Sequence, residues 1–175
     1  MLVYKFLPSF IILMFSSFMF WKTLGYQNFT PEHEIMVISV EEPYEGYEIG
    51  KQDECLIKNI YFEAKNESFE GKLAVAQVTI NRVNSDKFPN TICNVVKQVR
   101  VLKKRKICQF SWYCMKPKKM VEDGDYNDSI KAAFYIKNGH TLKKVKTALF
   151  YHADYVNPKW KYKRITKIGK HIFYK

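Results

Sequence analysis

The 175-residue sequence lacks most of the patterns that hold metals and cofactors. Its four histidines, His33, His140, His152 and His171, form no pair at i, i+3 or i, i+4, and H-E-x-x-H does not occur. A zinc site built from this chain is not expected. None of its four cysteines is spaced C-x-x-C, which argues against a zinc knuckle. G-x-S-x-G, the P-loop and G-x-G-x-x-G are all missing, so no cofactor or metal is expected. Internal repeats are absent. Acid is scarce in the later part: residues 51–175 hold 27 basic and 11 acidic side chains, against two basic and six acidic in residues 1–50. A body this basic is drawn to a polyanion, whether nucleic acid, an anionic membrane or an anionic cell wall.

Charge is also missing from "FLPSFIILMFSSFMFW" (Phe6 to Trp21), which Lys5 and Lys22 flank. The run is longer than the usual apolar core of a signal peptide and slightly short for a full span. No small-x-small cleavage site follows it. Residues 1–25 read as a signal peptide or an uncleaved signal-anchor held in the inner membrane. Pro8 and the many aromatics argue against a buried helix. Residues 26–52 are acidic, with Pro31, Pro43, Gly46 and Gly50, and read as a tether. The expected folded domain is 53–175. An export signal makes a nucleic-acid partner improbable and disulfides the default. Four cysteines allow three pairings. Cys108 and Cys114 are six apart and suit a small loop, which leaves Cys55 with Cys93.

Within the domain, Leu56, Ile57, Ile60 and Ala64 make one helical stripe. Ser68 is the expected N-cap of a second helix running to Val83, with Glu70 in its first turn. Asn84 to Asn90 is a turn cluster, and Thr91 to Lys97 a short helix. "VRVLKKRK" reads as an exposed basic loop. Asp125 or Asn127 is the expected cap of a helix ended by Gly139. Thr147 to His152 reads as a strand, and Arg164 to Tyr174 as a hairpin turning near Gly169. The fold class is α+β, mainly helical, with a short late sheet.

Glu63 lies on the border of the first stripe. A carboxyl there is partly desolvated and its pKa rises, as a general acid for glycoside cleavage requires. The bland alternative is a helix-end glutamate paired with Lys65 or solvent. Gln77 and Asn81, four apart, share the inward face of Leu73, Ala74 and Ile80. Two amides there need partners, either structural bonds or a ligand in a cleft. "CQFSWYC" places Gln109, Ser111 and Trp112 inside a small loop, where an aromatic ring beside amide and hydroxyl groups suits sugar binding. A tryptophan that simply packs is the alternative.

Four stretches then fall in one order: "CLIKNIYFEAKNESFEGKLAVAQVTINRVNSDKFPNTICNVV", "CQFSW", "ALFYHADYVNPKW" and "ITKIGKHIFYK". Together they resemble the SleB/CwlJ-type cell wall hydrolases, over about Asp53 to Lys175. The resemblance implies a lysozyme-like fold and makes Glu63, the glutamate of Y-x-E-A, the catalytic acid. Family forms with cysteines at these places are typical of Gram-negative bacteria and their phages. In cortex-lytic members a peptidoglycan-binding repeat stands where this chain has its anchor and tether, so spore-cortex specificity is not expected.

The expected activity is cleavage of peptidoglycan between N-acetylmuramic acid and N-acetylglucosamine by an exported, periplasmic monomer. No second carboxylate is fixed by a motif, which favours lytic transglycosylation over a two-carboxylate mechanism. Glu70 is the best second carboxylate if water attacks instead. Asn81, Gln109, Ser111, Tyr151 and His152 are the cleft candidates, with Gln77 and Trp112 beside them. A hydrolytic muramidase, a stem-peptide amidase and a non-catalytic wall-binding module are the rivals.

Overall fold

The structure is a computed structural model that describes Tyr44, residues 46–115 and residues 119–175. The expected signal-anchor and most of the tether lie outside the described residues.

Among the described residues, five α-helices and five strands follow in order. Helix α1 is Lys51–Ala64, α2 is Phe69–Val83 and α3 is Ile92–Val96. Strands β1 (Val99–Leu102) and β2 (Arg105–Cys108) come next, followed by the one-turn α4 (Ser111–Cys114) and by α5 (Gly124–Lys137). A 3₁₀ turn at Lys143–Val145 leads to β3 (Phe150–Ala153), β4 (Arg164–Ile168) and β5 (His171–Tyr174). The α+β order is as expected, with helices first and a three-stranded antiparallel sheet, β3-β5-β4, late.

Side-chain caps fix the starts of α2, α3 and α5. Ser68 Oγ accepts from the Gly71 N–H at 3.3 Å, and Thr91 Oγ1 from Asn94 at 3.3 Å. The cap of α5 differs from the expected Asp125 or Asn127. Asp123 Oδ1 accepts the Tyr126 N–H at 2.9 Å, so α5 begins at Gly124, ahead of the start that either expected cap would give. Asp125 is thereby placed in the first turn, where it meets Lys72 instead. Gly139, at φ +89°, ends the α5 region as expected.

The "VRVLKKRK" stretch is exposed as expected, but it is a strand pair rather than a loop. Val99 pairs with Cys108 and Leu102 with Arg105. The turn is Lys103-Lys104, both at positive φ. Without the glycine or asparagine that usually marks such a turn, the hairpin left no signal in the sequence.

Helix α2 is the centre of the described domain, buried without a break from Gly71 to Thr79. Leu73 and Ala76 pack with Leu56, Ile57 and Ile60 of α1, Val95 and Val96 of α3, and Ala132, Ala133 and Ile136 of α5. Ala74 and Val78 pack with Val145, Ala148, Ile168 and Phe173 on the sheet side. A helix buried on every side suits this sandwiched position, and it obliges the polar side chains it carries, Lys72, Gln77 and Thr79 among them, to find partners inside.

Two disulfides tie the helical side, Cys55–Cys93 between α1 and α3 and Cys108–Cys114 between β2 and α4. Closing loops of 38 and 6 residues is worth about 4 and about 2 kcal/mol in the chain-entropy picture.

Lys72 is the largest of the fully buried side chains. Its ammonium meets Asp125 Oδ1 at 2.7 Å, Asp128 Oδ2 at 3.2 Å and the Glu67 carbonyl at 3.1 Å. Removing one partner of such a cluster strands the others' charges. Lys72→Met is expected to cost about 2–3 kcal/mol, discounted because both aspartates keep some solvent. Urea unfolding checks this; a loss below about half a kcal/mol would mean the cluster is solvated in practice.

Candidate active site

Glu63 sits in the last turn of α1, half-buried. The Tyr151 hydroxyl donates to Glu63 Oε2 at 3.0 Å, joining the end of α1 to β3. Burial pushes the Glu63 carboxyl above the usual glutamate range, and the Tyr151 hydrogen bond and the charge of Arg82 only partly offset it. Burial, with the negative charge of Glu63, holds the Tyr151 phenol well above its ordinary value. Tyr151 therefore remains a donor.

Arg82, in the last turn of α2, completes the group and was missed in the sequence. It is buried, and its guanidinium carbon lies 5.1 Å from the Phe110 ring, 5.3 Å from Phe88 and 6.0 Å from Tyr151. Its Nε donates to the Leu149 carbonyl at 2.8 Å, while Nη1 has no hydrogen-bond partner among the described residues. Burial lowers its pKa, and the Tyr151 and Glu63 charges pull the other way. The available signal was adjacency: Arg82 directly follows Asn81, which the sequence already places on the inward face of the helix.

His171 of β5 stands beside Tyr151, with ring centroids 5.2 Å apart. Burial lowers its pKa, against the raising effect of Glu67 and Asp154. Strand pairing explains the neighbours. Tyr151 pairs with Phe173 and Ala153 with His171, so all four face the core. His152 pairs with Ile172 and points to the opposite face. There its ring nitrogens contact the Ala153 carbonyl at 2.8 Å and the Tyr174 hydroxyl at 2.9 Å, beside Trp160. The structure brings Tyr151 to Glu63 and places His152 in a separate aromatic cluster.

The other expected residues divide in the same way. Trp112 Nε1 donates to the buried Asn59 at 3.0 Å, and its ring stacks on Phe62, one residue before Glu63, at 5.0 Å. Asn59 in turn donates to Thr79 of α2 at 3.1 Å. Phe62 and Trp112 line a cavity of about 390 Å³ with Lys58, Lys119, Met120, Glu122 and Tyr126. Gln109 is half-buried, its N–H donating to the Gln98 carbonyl at 2.8 Å, and Ser111 is exposed at the start of α4.

Gln77 and Asn81 are spent on structure. Gln77 donates to Asn81 at 2.9 Å and accepts from the Leu142 N–H at 3.3 Å. Asn81 donates to the Val145 and Ala148 carbonyls at 3.1 and 2.8 Å. Glu70 pairs with Lys144 at 2.8 Å on the surface. Glu67 is a second carboxylate that reaches the late sheet: its Oε2 accepts the Lys170 N–H at 3.1 Å in the β4–β5 turn. Gly169, at φ +54°, makes room for it, since a Cβ there would overlap Glu67 Oε2.

A family model described as Cell Wall Hydrolase matches residues 66–174. The chain belongs to this family. Glu63 lies three residues ahead of that match. The spore cortex-lytic enzyme of Bacillus cereus is 32% identical over 145 residues, 74% of this chain and 46% of the relative. That of Oceanobacillus iheyensis is 32% identical over 144 residues, 78% of this chain and 45% of the relative. The chain thus spans about half the length of the curated relatives it matches.

Two solved structures resemble this cell wall hydrolase domain. One is the catalytic domain of the Bacillus cereus SleB protein, with TM-score 0.57 and 28% identity, covering 74% of this chain and 94% of that one. The other is the catalytic domain of the germination-specific lytic transglycosylase SleB from Bacillus anthracis, with TM-score 0.58 and 30% identity, covering 72% and 96%.

The raised carboxyl has a consequence for stability. The folded protein binds the Glu63 proton more tightly than the unfolded chain does. That contribution is complete below the unfolded carboxyl pKa and is lost as pH rises through the raised folded value. Glu63→Gln keeps an acceptor for Tyr151 and removes the charge. Its melting temperature is expected to exceed that of the wild type at neutral pH, with the difference shrinking below about pH 4. Calorimetry that finds the variant less stable at neutral pH would show that the site does not resist the anion.

Proposed function

We propose that this chain is a lytic transglycosylase of peptidoglycan, cleaving between N-acetylmuramic acid and N-acetylglucosamine with Glu63 as general acid and then base. The observation that carries the reading is the Glu63 carboxyl, bonded to the Tyr151 hydroxyl at 3.0 Å and pushed by burial above the usual glutamate range. Membership in the family, and the activity printed for the Bacillus anthracis relative, support it.

In this mechanism Glu63 gives its proton to the glycosidic oxygen as the bond to the muramic C1 breaks. The resulting carboxylate is stabilised by the Tyr151 O–H and by the Arg82 charge. The muramic 6-hydroxyl attacks C1 and passes its proton to Glu63, closing a 1,6-anhydro ring and restoring the acid. No water enters the balance. Trp112 and Phe62, stacked on each other at the wall of the cavity of about 390 Å³, offer aromatic surface for sugar rings, and Gln109 and Ser111 lie in the same Cys108–Cys114 loop as Trp112. Glu70, engaged by Lys144 at the surface, is a poorly placed base for a hydrolytic route.

Glu63→Gln is expected to lower the rate of murein digestion roughly 10²–10⁴-fold, since the amide cannot donate an acidic proton. The wild-type rate should fall as pH rises through the raised Glu63 pKa, because the acid must be protonated. Mass spectrometry of products from purified murein should find anhydro-muramic ends. Reducing ends would assign a hydrolytic muramidase, and free stem peptides an amidase. Wild-type-like digestion by the Gln variant would remove Glu63 from the mechanism.

A further inference from the structure

The β1–β2 hairpin carries a feature that wall cleavage at Glu63 does not use. Every residue from Val99 to Ile107 is exposed. Val101 is 70% exposed, Leu102 60% and Ile107 49%, which is unusual for aliphatic side chains within regular strands. Between them stand Arg100, Lys103, Lys104, Arg105 and Lys106, and no acidic residue occurs anywhere from Lys87 to Val121. Cross-strand pairs share a face. Val99 and Val101 thus lie with Lys106 on one side, and Leu102 and Ile107 with Arg100 and Arg105 on the other.

Neither face is covered by the body. A two-stranded hairpin of this kind is marginal by itself in water. It is held at its base by the Cys108–Cys114 disulfide and by the Gln109 N–H on the Gln98 carbonyl. At its tip Lys103 and Lys104 occupy left-handed backbone at φ 47° and 67°. Asparagine and glycine take such positions with little strain; two lysines there put ammonium groups at the furthest point of the strand pair.

We infer that this hairpin docks on an anionic lipid bilayer surface. The composition decides between polyanions. Murein carboxylates would satisfy the cations, but sugars are held by aromatic faces, and the hairpin has no aromatic residue. Aliphatic side chains gain by leaving water for the acyl boundary, while long Lys and Arg stems reach back to phosphate headgroups. Aliphatics and cations interleaved on both faces, with nothing acidic nearby, match that layered environment. The inference stands apart from the chemistry assigned to Glu63.

The test is hydrogen–deuterium exchange on the full chain, read in peptides covering 99–107. A local readout is needed because the apolar run near the N-terminus is itself expected to hold membranes. The partners are vesicles of phosphatidylcholine with about one-third phosphatidylglycerol, neutral phosphatidylcholine vesicles, and purified murein. Exchange in the hairpin is expected to slow on the anionic vesicles only. Val101→Ser with Leu102→Ser should remove the slowing. Lys103→Asn with Lys104→Gly relaxes the turn while removing two cations, each worth about fivefold in partitioning, and should cut the protection by an order of magnitude or more. Both double variants should digest murein in solution at the wild-type rate. Equal exchange on anionic and neutral vesicles, slowing by murein rather than vesicles, or full protection in the Asn-Gly variant would each overturn the inference.

Discussion

Helix α2 has no free face between Gly71 and Thr79, and the rest of the domain answers to that constraint. Each polar side chain on it must find a partner inside, because an unpaired buried group costs several times what a hydrogen bond contributes. Lys72 therefore fixes α5 through two aspartates. Gln77 and Asn81 fix the chain from Leu142 to Ala148. Thr79 fixes Asn59, and through it Trp112. Arg82 fixes Leu149, the residue two before Tyr151. The helix thus sets the position of the strand that reaches Glu63 without touching that carboxyl through its own backbone.

The arrangement around Glu63 is a balance rather than a simple ion pair. Burial favours the protonated acid, while Tyr151 and Arg82 favour the anion. A full ion pair with Arg82 would pull the carboxyl down and remove its value as an acid at neutral pH. The guanidinium instead spreads over the rings of Phe88, Phe110 and Tyr151, with its Nε tied to a backbone carbonyl. Its charge is felt by the carboxyl while burial still dominates.

What could be read from the residues follows local rules. Ser68 as a cap, the stripe of α1, Gly139 and Gly169 as breaks, and Glu63 on a partly buried border all depend on neighbours within a few positions. What could not be read depends on partners far along the chain. Asp123 rather than Asp125 caps α5, and Asp125 is engaged by Lys72, 53 positions earlier. His152 looked as good a cleft residue as Tyr151, but strand alternation turns it to the other face. The β1–β2 turn was hidden by two lysines in conformations they seldom adopt. The amides of Gln77 and Asn81 were correctly placed as inward-facing. Only the fold shows that backbone between residues 142 and 148 engages them.

Glu67 and Gly169 occupy one volume between them. The carboxylate at 67 holds the backbone at Lys170, and it fits only because position 169 has no side chain. A side chain at 169 would be strained at φ +54° whatever stands at 67, and it would also have to push the Glu67 carboxylate off the Lys170 N–H, so it would meet two separate obstacles. The loop between α1 and α2 and the last turn of the sheet, about a hundred residues apart, are thus latched by one carboxylate that closes over a bare stretch of backbone.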